Sequence, residues 1–323
     1  MLIAILLFAV GLVLLIKGGD WFVDGATGLA RRFKLPDIIV GATVVSIGTT
    51  LPEVMVSATG ALNGQGAMAY GNAIGSIICN TALISAISVA VNPGKINTQT
   101  MKMPVLFFFS SAAIYCVAAY VLGEFTRPLG IIMLAVFAVY MFLTIRQGFK
   151  NPDQAHEDEE ESEIKQRSLL MELVLLVVGA ALIAVGADLL VDNGTIIAQE
   201  LGVPETVIAL TFVALGTSLP ELVTTITSLR KGHASLGIGN VIGANIFNLV
   251  LVSGVSVTLA PFEVPVGNTL FGINSSLVLD IPLMVFVMVL LTIPALLSKK
   301  LSRWQGITLL GIYAAFCAFQ FVL

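Results

Sequence analysis

The sequence predicts an all-α membrane protein with ten transmembrane helices, arranged as two inverted repeats of five helices each. Three observations predict this fold. Of the 323 residues, 57% are hydrophobic and only 11% are charged, whereas soluble domains average about 25% charged residues. Apolar runs of membrane-spanning length fill most of the chain. The two halves also carry the same polar motifs at a constant separation.

Ten apolar runs are long enough to cross a bilayer, which takes about 20 helical residues. The predicted spans are 2–18, 37–62, 67–91, 103–123, 128–147, 169–191, 204–229, 235–259, 276–297 and 303–322. We expect the first run to be a membrane helix and not a cleaved signal, because it lacks a basic start and a small-residue cleavage site. Residues 1–147 are predicted to form the first repeat, 148–168 an acidic linker and 169–323 the second repeat.

The basic residues predict how the spans are oriented. Fourteen of the sixteen Lys and Arg residues lie in loops that follow odd-numbered spans, and loops rich in these residues stay in the cytoplasm. We therefore expect a cytoplasmic-membrane protein with both termini outside and the acidic linker in the cytoplasm. The linker is expected to be a solvated, flexible segment, with a regulatory cation-binding role as the alternative.

The internal repeat is exact enough to assign partner residues. A shift of 168 residues carries residues 48–53, Gly-Thr-Thr-Leu-Pro-Glu, onto residues 216–221, Gly-Thr-Ser-Leu-Pro-Glu. Between residues 41 and 80, fifteen of forty positions are identical to their partners, which indicates a duplication. Each half has an odd number of spans, so the second half enters the membrane from the opposite side. Inverted repeats of this kind place a substrate site near the bilayer midplane.

The repeated motif places a glutamate, Glu53 or Glu221, inside an apolar span of each half. An ionisable residue inside a membrane is costly, about 2.5 to 3.5 kcal/mol for Asp on insertion scales, and usually marks a functional site. Gly48 with Pro52, and their partners in the second half, are expected to break the helices and free backbone carbonyls. Carbonyl, hydroxyl and carboxylate oxygens are hard ligands that suit Na⁺ and Ca²⁺. The alternative is that Pro and Gly only kink the helices.

The third and eighth spans carry a second repeated motif, Gly-Asn-x-Ile-Gly. Its small residues permit close packing against the broken helices. Asn72 and Asn80 are eight residues apart, as are Asn240 and Asn248, so both amides of each span point broadly to one face. Amide oxygens on that face could complete a cation site. Four aspartates near the ends of the first and sixth spans are expected to be solvated or helix-capping, with an accessory role at the mouth of an ion path as the alternative: Asp20, Asp24, Asp188 and Asp192.

These two pairs of motifs resemble the α-repeats of the sodium/calcium exchanger family, and the likeness covers essentially the whole chain. The resemblance is closer to bacterial and archaeal calcium/sodium antiporters. It implies a central calcium site made by Glu53, Glu221, Thr49 and Thr217. It implies flanking sodium sites that use the Ser46 carbonyl, Thr50 and Ser76 on one side, and the Ala214 carbonyl and Ser218 on the other. Asn80 and Asn248 would close the middle of the site.

The sequence departs from the family pattern at two positions. Ala244 stands where archaeal exchangers have a serine, which removes a hydroxyl ligand from one sodium site. Asn248 stands where archaeal and potassium-dependent exchangers have an aspartate, which removes a charge. These differences leave the sodium stoichiometry, potassium coupling and a role for protons open.

The residues and the resemblance together predict a secondary active antiporter, and not an enzyme, that exchanges Ca²⁺ for Na⁺ by alternating access. The expected partners are Ca²⁺, Na⁺ and the lipid bilayer, with no resident cofactor and no nucleic acid, and the chain is expected to work as a monomer. One alternative is a cation/proton antiporter whose glutamates carry H⁺. A calcium channel is the other, and the duplicated site within one chain argues against it.

Overall fold

Long helices make up most of the computed structural model, which describes residues 2–150, 167–201, 216–265, 269–270 and 272–320. The helices are α1 Leu2–Phe33, α2 Asp37–Leu62, α3 Gly66–Val91, α4 Thr98–Leu122, α5 Arg127–Lys150, α6 Leu169–Glu200, α7 Leu219–Arg230, α8 Ala234–Leu259, α9 Ser276–Ser298 and α10 Arg303–Gln320. Short strands in the loops are β1 Gly94–Lys95, β2 Glu124–Phe125, β3 Phe262–Glu263, β4 Thr269–Leu270, β5 Ile273–Asn274 and β6 Lys300–Leu301.

Eight of these helices, all except α7 and α10, are long and apolar enough to cross a membrane. The helix α7 is the described part of the predicted seventh span, and α10 lies at the predicted tenth. The acidic run 151–166, which dominates the predicted linker, lies outside the described residues. The fold is therefore that of a mostly helical membrane protein, as the composition predicts.

The predicted ends of the first and sixth spans were wrong. The helix α1 continues to Phe33 and α6 to Glu200, well past the predicted limits of residues 18 and 191. Charged residues at the ends of the apolar runs suggested that the helices stop there. The charges are accommodated by ion pairs, because Asp24 of α1 lies 2.6 Å from the Lys231 ammonium and 3.4 Å from the Arg167 guanidinium. The aspartate is thus ion-paired and does not cap a helix end.

Pairing between the loops shows which helix ends lie together. The strand β1, which follows α3, pairs with β6, which follows α9. The strand β2, which follows α4, pairs with β3, which follows α8. Loops after odd-numbered helices therefore contact each other, and so do loops after even-numbered helices. A chain that crosses the bilayer at every helix requires this arrangement.

Two further polar side-chain contacts lie at the end of the molecule where α1 finishes. The Arg32 guanidinium contacts the carboxylate of Glu172, a buried residue of α6, at 2.8 Å. His233 Nδ1 lies 2.7 Å from the Asp37 carboxylate at the start of α2. The His233 side chain is only 13% exposed, because it packs against the end of α2.

The helices α1 and α6 form an antiparallel pair with glycines at the contact. Gly11, Gly18 and Gly25 recur every seven residues along α1 and face the backbone of α6. A methyl group built on Gly18 would lie 2.8 Å from Ile183 N and 2.9 Å from Gly179 O. Small residues at such a contact let membrane helices approach closely.

The helix α8 lies at the centre of the molecule. Every residue from Leu236 to Phe247 is buried, and a helix that is buried on all sides belongs to the core. Its glycines Gly239 and Gly243 touch Ile38 and Ala42 of α2, with no room for a side chain. This close crossing of α2 and α8 brings the two repeated motifs into contact.

We expect Gly18→Ala to destabilise the protein, because the added methyl group must push α6 away from α1. Overpacking of this kind typically costs about 1–3 kcal/mol. Thermal unfolding in detergent micelles should show a lower midpoint temperature. Gly311→Ala in α10 is the matched control, since nothing lies within 4 Å of a methyl group there. An unchanged midpoint for Gly18→Ala would contradict the close α1–α6 contact.

Candidate cation-binding site

Two glutamates lie side by side in the interior, one from each half of the chain. Glu53 follows Pro52 in α2, and Glu221 follows Pro220 in the first turn of α7. Both side chains are 0% exposed, and their carboxyl groups are close enough to interact electrostatically. Among the described residues, no Lys or Arg forms an ion pair with either glutamate. The two carboxyl groups therefore form a concentrated acidic centre without a basic partner among the described residues.

The two repeats present their glutamates on different local structures. The helix α2 runs without interruption through Pro52, so the predicted break at Gly48–Pro52 was wrong for the first half. The irregularity comes earlier, as a π-helical segment at Gly41–Val45. In the second half, residues 217–218 form a turn and α7 starts at Leu219, as the motif predicts. Proline still removes one backbone donor from α2, because it has no N–H.

Hydroxyl groups of the repeated motif surround this acidic centre. The Thr49 and Thr50 side chains lie next to the carboxyl group of Glu221. The Thr50 hydroxyl and the Ser218 hydroxyl are buried and have no hydrogen-bond partner among the described residues. The hydroxyl of Ser46 instead donates to the Gly41 carbonyl at 2.8 Å, which leaves the Ser46 carbonyl as its predicted ligand atom. Ala214 lies outside the described residues.

The predicted asparagines begin π-helical segments. Asn80 is the first residue of the segment Asn80–Ser85 in α3, and Asn248 is the first of Asn248–Val252 in α8. Both side chains are fully buried. Asn248 Nδ2 donates to the Ala244 carbonyl at 3.1 Å, whereas Asn248 Oδ1 and both polar atoms of Asn80 have no partner in the described part of the chain. Isolated π-helical turns are frequent at functional sites.

The other pair of repeated asparagines makes contacts between the two halves. Thr49 Oγ1 donates to Asn240 Oδ1 at 3.1 Å, and Thr217 Oγ1 donates to Asn72 Oδ1 at 3.2 Å. Each amide oxygen therefore accepts from a threonine of the other half. The sequence showed that both asparagines are repeated, but it did not show what they touch.

The residues at this centre fit a desolvated hard cation. Several carboxylate, hydroxyl and amide oxygens are buried without partners within the described ranges. They belong to Glu53, Glu221, Thr50, Ser218, Asn80 and Asn248. An unpaired buried polar group costs about 1–3 kcal/mol and a charged one costs more. A cation with several oxygen ligands would satisfy them together. Ser76 is also buried, one helical turn before Asn80. The structure thus places these predicted residues in the buried interior.

A narrow crevice separates this centre from the α1–α6 pair. Its walls are Phe22, Ala180 and Ile183 on one side and Gly48, Thr49, Pro52 and Pro220 on the other. The ring of Phe22 lies against Gly48, within 2.8 Å of a methyl group built there, and Val191 of α6 lies against Gly216 at the same distance. The α1–α6 pair therefore covers the centre, and each motif glycine lies under one of its side chains.

Fold and site together define a membrane protein whose buried oxygen donors suit hard cations. The chain belongs to the sodium/calcium exchanger protein family, whose model matches residues 3–146 and 171–322. The family is one of transporters, and membership supports Ca²⁺/Na⁺ antiport as the activity. The resemblance seen in the repeated motifs is thus confirmed.

Curated relatives and solved structures agree with this assignment. The chain is 28% identical over 355 residues to the sodium/calcium exchanger MaX1 of Methanosarcina acetivorans, covering 98% of each chain. It is 35% identical over 272 residues to the inner membrane protein YrbG of Escherichia coli, covering 82% of each. The structure of the sodium-calcium exchanger NCX_Mj soaked with 2.5 mM Na⁺ and 10 mM Sr²⁺ superimposes with a TM-score of 0.81 and 31% identity, covering 98% of each chain.

A tyrosine from α5 holds the π-helical segment that precedes Glu53. The buried Tyr140 hydroxyl donates to the Ala42 carbonyl at 2.9 Å, and Ala42 lies within the segment Gly41–Val45. Irregular helix turns leave carbonyls without their usual donor, so this hydroxyl supplies one.

We expect Tyr140→Phe to lower the stability of the protein by about 1–3 kcal/mol, since it leaves the buried Ala42 carbonyl unsatisfied. Thermal unfolding in detergent measures the change. Tyr120→Phe is the matched control, because the Tyr120 hydroxyl also donates to a carbonyl but the residue is 49% exposed. Equal losses of stability in the two variants would contradict a particular contribution from the hydrogen bond between Tyr140 and Ala42.

Proposed function

We propose that this protein is a secondary active antiporter that exchanges Ca²⁺ for Na⁺ across the cytoplasmic membrane by alternating access. The observation that carries the proposal is the pair of fully buried glutamates, Glu53 and Glu221, set side by side and ion-paired to no base among the described residues. Family membership supports the same activity. In this proposal Ca²⁺ and Na⁺ are transported substrates, and the protein has no resident cofactor.

Charge explains why such a site would exchange cations and not leak them. Two ionised glutamates carry a charge of −2, which one Ca²⁺ or two Na⁺ neutralise. A neutralised site can be exposed to either side, whereas an empty dianionic site in a low-dielectric interior is strongly disfavoured. The two substrates therefore compete for one centre, and each must leave before the other binds.

We assign the ligands by the repeat and by the geometry. Glu53, Glu221, Thr49 and Thr217 would hold Ca²⁺. The Ser46 carbonyl, Thr50 and Ser76 would hold Na⁺ on one side, and the Ala214 carbonyl and Ser218 on the other, with Asn80 and Asn248 between them. The reciprocal hydrogen bonds Thr49–Asn240 and Thr217–Asn72 support a two-fold relation between the halves, as expected for inverted repeats of five helices.

Alternating access would come from the α1–α6 pair. The two helices contact each other closely along their length, so they can move as one unit. They cover the site through Phe22 and Val191, which rest on the motif glycines. Sliding this pair would open the crevice to one side or the other. We place both termini outside and the linker in the cytoplasm from the distribution of Lys and Arg, and we expect a monomer to suffice.

Glu53→Gln and Glu221→Gln should each abolish exchange, because either change removes half of the charge that Ca²⁺ must neutralise. Glutamine matches glutamate in size, so expression and folding should remain normal. Uptake of ⁴⁵Ca²⁺ into proteoliposomes loaded with Na⁺ measures the activity, with choline-loaded vesicles and an imposed pH gradient as controls. Wild-type rates in either variant would overturn the site. Uptake by the unmodified protein that follows the pH gradient and ignores Na⁺ would favour a cation/proton antiporter.

Ala244→Ser tests the departure from the family pattern. Ala244 is fully buried in α8, one turn before Asn248, so a hydroxyl there would add an oxygen ligand close to the centre. We expect the Na⁺ dependence of exchange to change more than the apparent Ca²⁺ affinity. Initial rates measured over a range of internal Na⁺ concentrations give the first quantity, and rates over a range of external Ca²⁺ give the second. An unchanged Na⁺ profile would remove this position from the site.

A further inference from the structure

Asn72 and Asn240 each connect one half of the chain to a threonine of the other half. The shift of 168 residues that carries Asn72 onto Asn240 also carries Thr49 onto Thr217. Accordingly, the bond from Thr49 Oγ1 to Asn240 Oδ1 at 3.1 Å and the bond from Thr217 Oγ1 to Asn72 Oδ1 at 3.2 Å are internal-symmetry partners. The same hydrogen bond is present in both halves, although the helices that carry the two threonines differ in local structure. This indicates that both threonine hydroxyls need an acceptor at this position.

The identity of the atom that faces Thr217 follows from the other contacts of Asn72. Asn72 Nδ2 lies 3.3 Å from the Glu53 carbonyl oxygen, which can only accept a hydrogen bond, and 2.8 Å from Ser57 Oγ. The amide nitrogen must therefore face α2, so the amide oxygen faces Thr217. The internal symmetry assigns the same orientation to Asn240, whose Oδ1 accepts from Thr49 Oγ1 at 3.1 Å.

An amide oxygen at this position fixes the proton of the threonine hydroxyl. A hydroxyl has one proton to donate and two lone pairs. Once Thr49 donates its proton to Asn240, its oxygen can meet any further group only as an acceptor. A cation requires that state, because it is bound by lone pairs and repelled by protons. Groups behind a metal ligand set the orientation of that ligand in the same way.

We propose that Asn72 and Asn240 are positioning residues that turn the lone pairs of Thr217 and Thr49 toward the cation and so set the affinity for Ca²⁺. This inference rests on the proposed function, since it refines the same centre. Asn240 provides the cleaner test. Its amide nitrogen has no partner within the described ranges, whereas Asn72 also supports the backbone of Glu53.

Asn240→Ala should raise the KM for Ca²⁺ about 10-fold or more, in line with the 10–100-fold losses typical when a partner of a metal ligand is removed. The maximum rate should stay within about twofold, because the glutamates still neutralise the ion. Asn240→Asp keeps an acceptor oxygen and should restore a KM at or below the unmodified value. Asn63→Ala, at the exposed end of α2, is the matched control. The assay is ⁴⁵Ca²⁺ uptake into Na⁺-loaded proteoliposomes.

A double-mutant cycle separates positioning from general support of the fold. If Asn240 acts through the Thr49 hydroxyl, Asn240→Ala combined with Thr49→Val should be no worse than Thr49→Val alone. Independent, multiplying losses would overturn the inference, as would an unchanged KM in Asn240→Ala. If the alanine variant does not fold, Asn240→Ser, whose hydroxyl is too short to reach Thr49, provides the same test. A lack of Na⁺-dependent uptake by the unmodified protein would instead overturn the proposed function.

Discussion

Two carboxyl groups, buried together without a base among the described residues, are the constraint on which the rest of the structure depends. Glu53 and Glu221 would repel each other and lose hydration in a low-dielectric interior. Further oxygen atoms are buried without partners among the described residues, namely the hydroxyls of Thr50 and Ser218 and the amide oxygens of Asn80 and Asn248. In the proposed mechanism a bound cation offsets this cost, so the same centre would govern both stability and transport.

Close contacts between helices bring the polar side chains of the site together. The α2–α8 crossing depends on Gly239 and Gly243, which leave no space for side chains, and it brings Asn240 to Thr49. The α1–α6 pair uses glycines in the same way but packs mainly against itself, which suits a unit that moves over a fixed centre. The bonds between threonines and asparagines join the two halves within that fixed part. In the proposed mechanism, one set of small residues holds the site rigid while another lets its cover move.

The sequence predicted the repeat, the positions of the glutamates and most of the residues around them, because a polar motif written twice inside apolar spans is visible without a structure. It did not predict the full lengths of α1 and α6. The first span was predicted to end at residue 18, and the contact between Asp24 and Lys231 that accommodates a charge further along the helix joins residues 207 positions apart. The π-helical segment at Gly41–Val45 and the hydroxyl of Tyr140 that supports it were missed for the same reason. Such contacts depend on tertiary packing, which no local pattern records.

Competition binding tests the central claim most directly, because it asks whether Ca²⁺ and Na⁺ bind at the same pair of glutamates. Equilibrium binding of ⁴⁵Ca²⁺ to the detergent-purified protein should show one tightly bound Ca²⁺ per chain, displaced by Na⁺ with a steep, cooperative dependence. The Glu53→Gln/Glu221→Gln double variant should bind none. Ca²⁺ binding that is indifferent to Na⁺, or that survives in the double variant, would contradict the account.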